Sequence, residues 1–96
     1  MISHKQFWKN KKVLVTGHTG FKGSWLSVLL YVFKAKIYGY SLKPKKNFLF
    51  EKANLKRIFK ESVYGDILNS KKLYRNIKSI KPTIIFHLAA QPLVVD

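Results

Sequence analysis

The sequence predicts a doubly wound α/β fold, in which helices cover both faces of a parallel sheet. Two observations predict it. Short, branched apolar runs alternate with segments of helical pattern, and a cluster of glycines separates the first such run from the first helix. A segment long enough to cross over follows each run, so consecutive strands are expected to lie parallel. With 96 residues and no internal repeat, the chain is one small domain or a piece of one.

The first half of the chain predicts two strands that flank one helix. Residues 13–16 form a branched apolar run that stops at a glycine, which is typical of a buried parallel strand. Residues 20–33 predict a helix that is apolar nearly all round and is therefore expected to be largely buried. Residues 36–40 predict a second strand, and a polar loop that contains Pro44 follows it.

The second half of the chain predicts two further strands. Residues 48–59 have an irregular helical pattern, and residues 62–64 predict a short third strand that stops at a glycine. Ser70 is a candidate N-cap for an amphipathic helix, which ends at Pro82. Residues 83–87 predict a fourth strand that is apolar on both faces. The expected strand order is 3-2-1-4, that of a partial Rossmann-type sheet.

Three evenly spaced glycines, Gly17, Gly20 and Gly23, lie between the first strand and the first helix. In a dinucleotide-binding loop the first glycine permits the tight turn, the second lets the backbone approach a pyrophosphate, and the third lets the helix pack on the strand. The helix N-terminus offers N–H groups and a partial positive charge, to which Lys22 adds a formal charge. A plain turn would use glycines too, but the flanking strand and helix favour a phosphate loop. A nucleoside-triphosphatase loop fits less well, because Ser24 rather than lysine follows Gly23.

The end of the second strand is where a dinucleotide site usually has an acidic residue for the ribose hydroxyls. Here Tyr40 and Ser41 occupy that place, and no carboxylate is present. Ser41 can hydrogen-bond a ribose, but it has no charge that would reject a 2′-phosphate, and Lys43 or Lys45 would attract one. The residues by themselves therefore leave NAD and NADP both open.

The ends of the third and fourth strands offer further groups to a nucleotide. Asp66 can accept from an adenine amino group and Ile67 can pack on the ring, with a turn or cap aspartate as the alternative. Residues 88–90 leave the fourth strand at the edge where open α/β sheets bind ligands, and Gln91 adds an amide. His87 is interpreted as structural, because no acid–base partner for it is visible.

No residue of the chain is predicted to be catalytic or to bind a metal. Tyr74 and Lys78 have the spacing of the acid–base pair of short-chain dehydrogenases. However, Tyr74 is expected on the core face of the helix before the fourth strand, away from the carboxyl edge, so the spacing is interpreted as coincidental. The absence of cysteine excludes a thiolate metal site and a cysteine nucleophile.

The formal net charge is +15, which makes nucleic acid and anionic membrane surfaces conceivable partners. The excess is scattered and nearly all lysine, whereas arginine, preferred for base and phosphate readout, occurs only at Arg57 and Arg75. Solvated lysine-rich faces are therefore predicted, with no nucleic-acid or membrane partner. No apolar run approaches the roughly 20 residues of a membrane span, and nothing has the pattern of a signal peptide, so the expected location is the cytoplasm.

The sequence resembles the CDP-glucose 4,6-dehydratase family, whose members are extended short-chain dehydrogenase/reductases of nucleotide-sugar metabolism. Thr-Gly-x-x-Gly-x-x-Gly is general to the superfamily, whereas HTGFKGSWL at residues 18–26 and HLAAQPLV at residues 87–94 are more specific to this family. Phe7-Trp8 and the segments 39–42 and 65–67 match as well, so the resemblance covers residues 7–94.

The resemblance implies a bound NAD and a redox-neutral lyase cycle. The sugar of CDP-glucose is oxidised at C4, water is lost across C5 and C6, and the hydride returns to C6, giving CDP-4-keto-6-deoxyglucose. The glycines are implied at the pyrophosphate, residues 40–41 at the adenosine ribose, residues 66–67 at adenine and residues 88–91 along the cofactor. The residues assigned to cofactor binding are Gly17, Thr19, Gly20, Phe21, Lys22, Gly23, Tyr40, Ser41, Asp66, Ile67, Leu88, Ala89, Ala90 and Gln91.

Residues 1–96 are expected to be the N-terminal part of an NAD(P)-binding domain, since the family's acid–base residues and sugar-binding domain would follow them. The chain by itself is therefore predicted to be inactive. For a full-length member the resemblance implies a nucleotide-sugar substrate and a homo-oligomer. Three alternatives are open: another NAD-dependent nucleotide-sugar epimerase or dehydratase, a dinucleotide-binding module without catalysis, and a chain that is not stably folded by itself.

Overall fold

The computed structural model describes residues 4–44 and 49–88. Strands and helices alternate along these residues, as the sequence predicts. The first strand and helix begin within a residue of their predicted starts. The elements are α1 (His4–Trp8), β1 (Lys12–Thr16), α2 (Phe21–Val32), β2 (Lys36–Ser41), α3 (Leu49–Lys52), a 3₁₀ helix (Leu55–Ile58), β3 (Glu61–Tyr64), α4 (Ser70–Ile80) and β4 (Ile84–His87).

The four strands form one parallel sheet in the order β3-β2-β1-β4, which confirms the predicted order. Thr16, the last residue of β1, lies opposite Tyr40 on one side and His87 on the other. On the next strand pair, Ser41 lies opposite Tyr64. The strand ends therefore line one side of the sheet, which we call the carboxyl edge, and sheets of this kind bind ligands there.

The core lies on both faces of β1, where Val13, Leu14 and Val15 have no exposed surface. Because alternate strand residues face opposite sides, Leu14 packs with Tyr40 and Ile80, on the face covered by α4. The two valines pack on the other face, with side chains of α2, α3 and the 3₁₀ helix. That larger cluster comprises Val13, Val15, Leu30, Ala35, Ile37, Phe50, Leu55 and Phe59. Helices on both faces confirm the doubly wound fold class.

Helix α2 is only partly buried, so the prediction of a largely buried helix is wrong. Its buried residues are Gly23, Ser24, Ser27 and Leu30, three of which are small and let the helix backbone approach the sheet. Four large apolar side chains of the same helix project from the opposite side, where each is at least half exposed. We call these exposed side chains the apolar stripe, which consists of Phe21, Trp25, Leu29 and Val32.

Helix α4 differs from its prediction in two residues. Asn69 rather than Ser70 is the N-cap, since the Asn69 side chain accepts from the Lys72 N–H group at 3.2 Å. Tyr74, expected on the core face, is 64% exposed. The buried row of α4 ends at Ile80, and Tyr74 lies roughly 120° round the helix from that residue.

The irregular helical segment predicted at residues 48–59 consists of α3 and the 3₁₀ helix. Asn54, between the two, has a left-handed backbone with a φ of 51°, which interrupts the helix. Phe50, Leu55 and Phe59 from this segment are buried. Of the helices in residues 4–44 and 49–88, none is long and apolar enough to cross a membrane.

Candidate functional site

The loop between β1 and α2 turns sharply at Gly17, whose φ of 81° lies in the left-handed region that favours glycine. The Gly17 N–H group donates to the Tyr40 carbonyl at 2.9 Å, which ties the loop to β2. The Gly20 N–H group donates back to the Gly17 carbonyl at 3.1 Å. The tight turn that sequence reasoning assigns to the first glycine therefore lies at the carboxyl edge, between two strands.

Gly23 lies directly against the turn. A Cβ there would be 2.2 Å from the carbonyl oxygen of Gly17, far inside any real contact, so only glycine fits this packing. Two serines of α2 add hydrogen bonds on the same side: Ser24 donates to the His18 carbonyl at 3.0 Å and Ser27 to the Gly23 carbonyl at 2.7 Å. The Ser24 bond and the Gly23 contact hold the N-terminus of α2 against the loop, the arrangement expected of the third glycine, while the Ser27 bond lies within the helix.

Gly20 has an ordinary backbone, with a φ of −77° and a ψ of 171°, which any residue can adopt. A Cβ at this position would have only one protein neighbour, the Gly17 carbonyl oxygen at 3.5 Å, which is a normal contact. The described part of the chain thus gives no internal reason for glycine here. The space that a Cβ would fill is open.

The N-terminus of α2 has free capacity for an anion. Its N-cap, Gly20, makes no side-chain cap, and the first turn contains no acidic residue. The first N–H groups of a helix have no partner within the helix, and the helix dipole places partial positive charge there. Phe21 and Lys22, both predicted to contact the cofactor, are exposed in this first turn.

His18 is a feature of the loop that the sequence analysis did not assign. Its side chain is completely buried and shares a hydrogen bond of 2.7 Å between Nε2 and the Ser62 hydroxyl of β3. The ring packs edge-on against Phe50 and Phe59, at centroid distances of 5.2 and 4.8 Å. A Cβ at Gly39 would collide with the same ring, so β2 also accommodates it.

Burial lowers the pKa of His18 to about 4 from its usual 6.5, and the nearby Tyr40 backbone opposes this only in part. The imidazole is therefore neutral at neutral pH and anchors the loop without adding charge to it. Its partner Ser62 is 44 residues away, so no local pattern in the sequence signals the pair.

Thr19 and Ser41 lie together where the loop meets the end of β2. Thr19 Oγ1 is 2.9 Å from Ser41 Oγ, and the Thr19 hydroxyl donates to the Leu42 carbonyl at 3.0 Å. Thr19 is only 6% exposed, whereas Ser41 is half-buried. Because the Thr19 side chain is buried, little of it is accessible to a cofactor. Its hydroxyl instead contacts Ser41 at the carboxyl edge.

The side chain of Tyr40 lies inside the molecule, although its backbone is at the carboxyl edge. Its ring is 1% exposed and its hydroxyl donates to the backbone carbonyl of Asp66 at 3.0 Å. A Cβ at Gly65 would lie 2.5 Å from that hydroxyl, so Gly65 makes room for it. Burial raises the pKa of Tyr40, and the charge of Asp66 adds to this effect. Its side chain is therefore turned away from a ligand at the edge, and the predicted place of Tyr40 near a ribose stays a prediction for its backbone.

Asp66 and Ile67 follow β3 at the carboxyl edge and are both half-buried. Asp66 Oδ1 accepts from the Leu68 N–H group at 2.9 Å, and its carbonyl accepts from the Asn69 N–H group at 3.0 Å. The aspartate therefore forms the turn that was the alternative to adenine binding. Because Oδ1 is engaged in this turn, Oδ2 is the oxygen through which Asp66 would contact a ligand.

At the end of β4, Thr16 Oγ1 and His87 Nδ1 are 2.8 Å apart, and the Leu88 N–H group donates to the Thr16 carbonyl at 2.9 Å. This bond supports the structural interpretation of His87. Leu88 is partly exposed and lies beside the end of β1, the strand that leads into the glycine loop. The predictions for Ala89, Ala90 and Gln91 concern residues outside the described part of the chain.

The described residues contain no cluster of three or more histidine, cysteine, aspartate or glutamate side chains that could hold a metal ion. The Tyr74 ring is exposed on α4, with Lys78 Nζ 5.9 Å from its centroid. Neither residue belongs to the strand ends or to the loops that follow them. The structure therefore places this pair apart from the candidate site, in keeping with a coincidental spacing.

The sheet order and the glycine turn define a Rossmann-type α/β unit like that of two solved epimerases. An epimerase from Methanothermobacter thermautotrophicus superposes with a TM-score of 0.71 at 28% identity, over 94% of this chain and 26% of that one. The ADP-L-glycero-D-manno-heptose-6-epimerase of Helicobacter pylori superposes with a TM-score of 0.67 at 25% identity, over 100% of this chain and 31% of that one.

The sequence comparisons identify the family. The model described as GDP-mannose 4,6 dehydratase matches residues 14–96, and the chain belongs to this family. CDP-glucose 4,6-dehydratase of Salmonella typhimurium is 52% identical over 91 residues, which confirms the resemblance seen in the motifs. GDP-mannose 4,6 dehydratase 2 of Caenorhabditis elegans is 34% identical over 98 residues. The matches cover 94% and 91% of this chain but 25% of each relative, so the chain spans about a quarter of their length.

Proposed function

We propose that the chain binds NAD at the carboxyl edge, with the pyrophosphate at the N-terminus of α2. The observation that carries this proposal is Gly20. Its backbone does not require glycine and its Cβ position is open, so a ligand that approaches the backbone explains the residue. The uncapped first turn of α2 supports the proposal, because its N–H groups and partial charge suit a phosphate.

The phosphate end of this site has two kinds of residue. Gly17 and Gly23 shape the loop, whereas Gly20, Phe21 and Lys22 offer backbone and side chain to the ligand. Lys22 is exposed, so its charge attracts the pyrophosphate through solvent and contributes mainly to long-range electrostatic attraction.

The adenosine end is formed by the loops after β2 and β3. Ser41 would contact the ribose, supported by Thr19, while Tyr40 contributes through its backbone. Asp66 and Ile67 would contact adenine, with one carboxylate oxygen of Asp66 held in the turn. Residues 88–91 are assigned to the remainder of the cofactor by the family resemblance.

NAD bound here supplies a hydride acceptor that can return the hydride later in the same cycle. The residues of this chain bind and orient the dinucleotide, and the chain contains no acid–base group assigned to the reaction. We propose that residues 1–96 are the cofactor-binding part of a CDP-glucose 4,6-dehydratase that converts CDP-glucose into CDP-4-keto-6-deoxyglucose and water. The 52% identity to the Salmonella enzyme supports this choice over the other sugar nucleotides.

Titration calorimetry of the 96-residue chain with NAD tests the binding proposal, and a thermal shift that grows with NAD concentration gives an independent measure. We expect binding of NAD and no turnover of CDP-glucose by the chain alone. A chain that is folded by circular dichroism but does not bind NAD would contradict the binding proposal. Turnover by the purified chain would contradict the assignment of the acid–base residues to other parts of the enzyme.

A further inference from the structure

A chain of hydrogen bonds at the end of β2 fixes the direction of the Ser41 hydroxyl. Thr19 Oγ1 is 3.0 Å from the Leu42 carbonyl oxygen and 2.9 Å from Ser41 Oγ. A carbonyl oxygen can only accept, so both contacts are satisfied together when the single Thr19 hydroxyl proton goes to Leu42. The Thr19 oxygen then remains an acceptor, and the proton in its contact with Ser41 comes from Ser41.

Burial keeps this arrangement in place. Thr19 is 6% exposed, so its hydroxyl is largely shielded from solvent. The backbone of Ser41 is fixed as well, because its carbonyl accepts from the Gly65 N–H group at 2.8 Å. Ser41 is the half-buried member of the chain and is next to the open edge. It therefore presents oxygen lone pairs, not a proton, to whatever binds there.

We propose that Ser41, oriented by Thr19, makes the site selective for NAD over NADP; this inference rests on the proposed function. A ribose 2′-hydroxyl donates a hydrogen bond to the Ser41 oxygen. A 2′-phosphate is largely without protons at neutral pH and carries a charge of about −1.5 to −2, so its oxygens would face lone pairs that cannot donate. A neutral side chain thus performs the discrimination for which such sites usually have a carboxylate at this strand end.

Lys43 acts in the opposite direction. It is exposed two residues after Ser41, and its positive charge attracts a 2′-phosphate. The attraction of an exposed lysine is screened by salt, whereas a short contact between a hydroxyl and its ligand is not. The two influences on cofactor choice can therefore be separated by ionic strength.

The test is a comparison of the dissociation constants of NAD and NADP for the chain and for Thr19→Val, at about 0.05 M and about 0.5 M salt. Valine keeps the shape of threonine but has no oxygen, so the Ser41 proton is free to turn toward the ligand. We expect the unchanged chain to prefer NAD, and Thr19→Val to lose about tenfold of that preference at both salt concentrations, the effect of about one hydrogen bond. Thr19→Ser retains the hydroxyl and should retain the preference.

Two further variants separate the possible outcomes. Ser41→Ala is predicted to bind NAD several-fold more weakly and to lose its preference, even if Thr19→Val proves unstable. Lys43→Gln is a charge control, whose effect on NADP should fade at high salt. If the chain binds NAD but both Thr19→Val and Ser41→Ala keep the original preference, the selectivity inference is wrong while the proposed function stands. If the folded chain binds neither dinucleotide, both are wrong.

Discussion

The carbonyl of Gly17 and the α-carbon of Gly23 are packed so closely that a Cβ on Gly23 would lie 2.2 Å from the Gly17 oxygen. At Gly20, in the same loop, the corresponding distance to that oxygen is 3.5 Å. The two glycines are therefore needed for different reasons. Gly23 permits the contact between loop and helix on which the fold depends, whereas Gly20 leaves space on the outside of the loop.

Gly23→Ala is expected to destabilise the fold by about 3 kcal/mol, because the added carbon meets backbone atoms that cannot turn away. Urea denaturation followed by circular dichroism measures the change. Gly20→Ala is the matched control and should cost less than about 1 kcal/mol, the effect of alanine at an N-cap. Equal losses in the two variants would contradict the difference in packing.

Gly20→Ala is expected to weaken NAD binding by about tenfold or more while leaving the chain folded. The added Cβ projects into the space that the pyrophosphate would occupy, which the described protein atoms leave open. Titration calorimetry gives the dissociation constant. Unaltered affinity would show that no ligand approaches this backbone and would remove the main support for the proposed site.

Stability is expected to fall below neutral pH because of His18. Its pKa is about 4 in the folded chain and 6.5 when exposed, so between these values the unfolded chain binds the proton more tightly. The His18 contribution is therefore complete above about pH 6.5 and decreases as the pH falls toward 4. The loss amounts to about 3 kcal/mol over that window.

Urea denaturation of the chain and of His18→Gln at several pH values isolates this contribution. All other side chains are the same in both proteins, so their effects cancel in the difference between the two curves. We expect the curves to converge as the pH is lowered from 7 to 4. Parallel curves would mean that His18 is protonated as readily in the folded chain as in the unfolded one.

Tyr40→Phe is expected to lower stability by about 1 kcal/mol and to leave NAD affinity within about twofold. The hydroxyl that is lost donates to the Asp66 carbonyl, and the side chain that carries it is 1% exposed. Tyr38→Phe, the same change two residues earlier on β2, is the matched control and should have a smaller effect on stability. A large loss of NAD affinity in Tyr40→Phe alone would restore the original expectation of a ribose contact.

The strand order and the glycine turn could be predicted because their signals are local. A branched run that stops at Gly17 and a helical segment that starts near Gly20 are adjacent in the sequence, and the strand order common to Rossmann-type sheets supplies the rest. The orientation of α2 could not be predicted in this way. The small residues Gly23 and Ser27 determine which face of α2 packs on the sheet. A prediction from hydrophobicity alone would bury the opposite face.

The buried contacts that hold the glycine loop in place could not be predicted from local sequence patterns either. His18 and Ser62 meet only after β3 has paired with β2, and their separation of 44 residues gives no periodic signal. The burial of the Tyr40 side chain was equally hard to predict. Its place at a strand end suggested a ligand contact, but strand residues alternate between faces, and Gly65 leaves room for the ring within the core.

The apolar stripe of α2 gives the chain a colloidal property. Four large hydrophobic side chains on one side of a helix favour self-association of the chain in water, whereas the net charge of +15 makes the molecules repel one another. That repulsion reaches about 10 Å at 0.1 M salt and about 3 Å at 1 M. Purification at low ionic strength should therefore keep the chain dispersed, and added salt should turn its solutions cloudy, the reverse of the salting-in often used to rescue a basic protein.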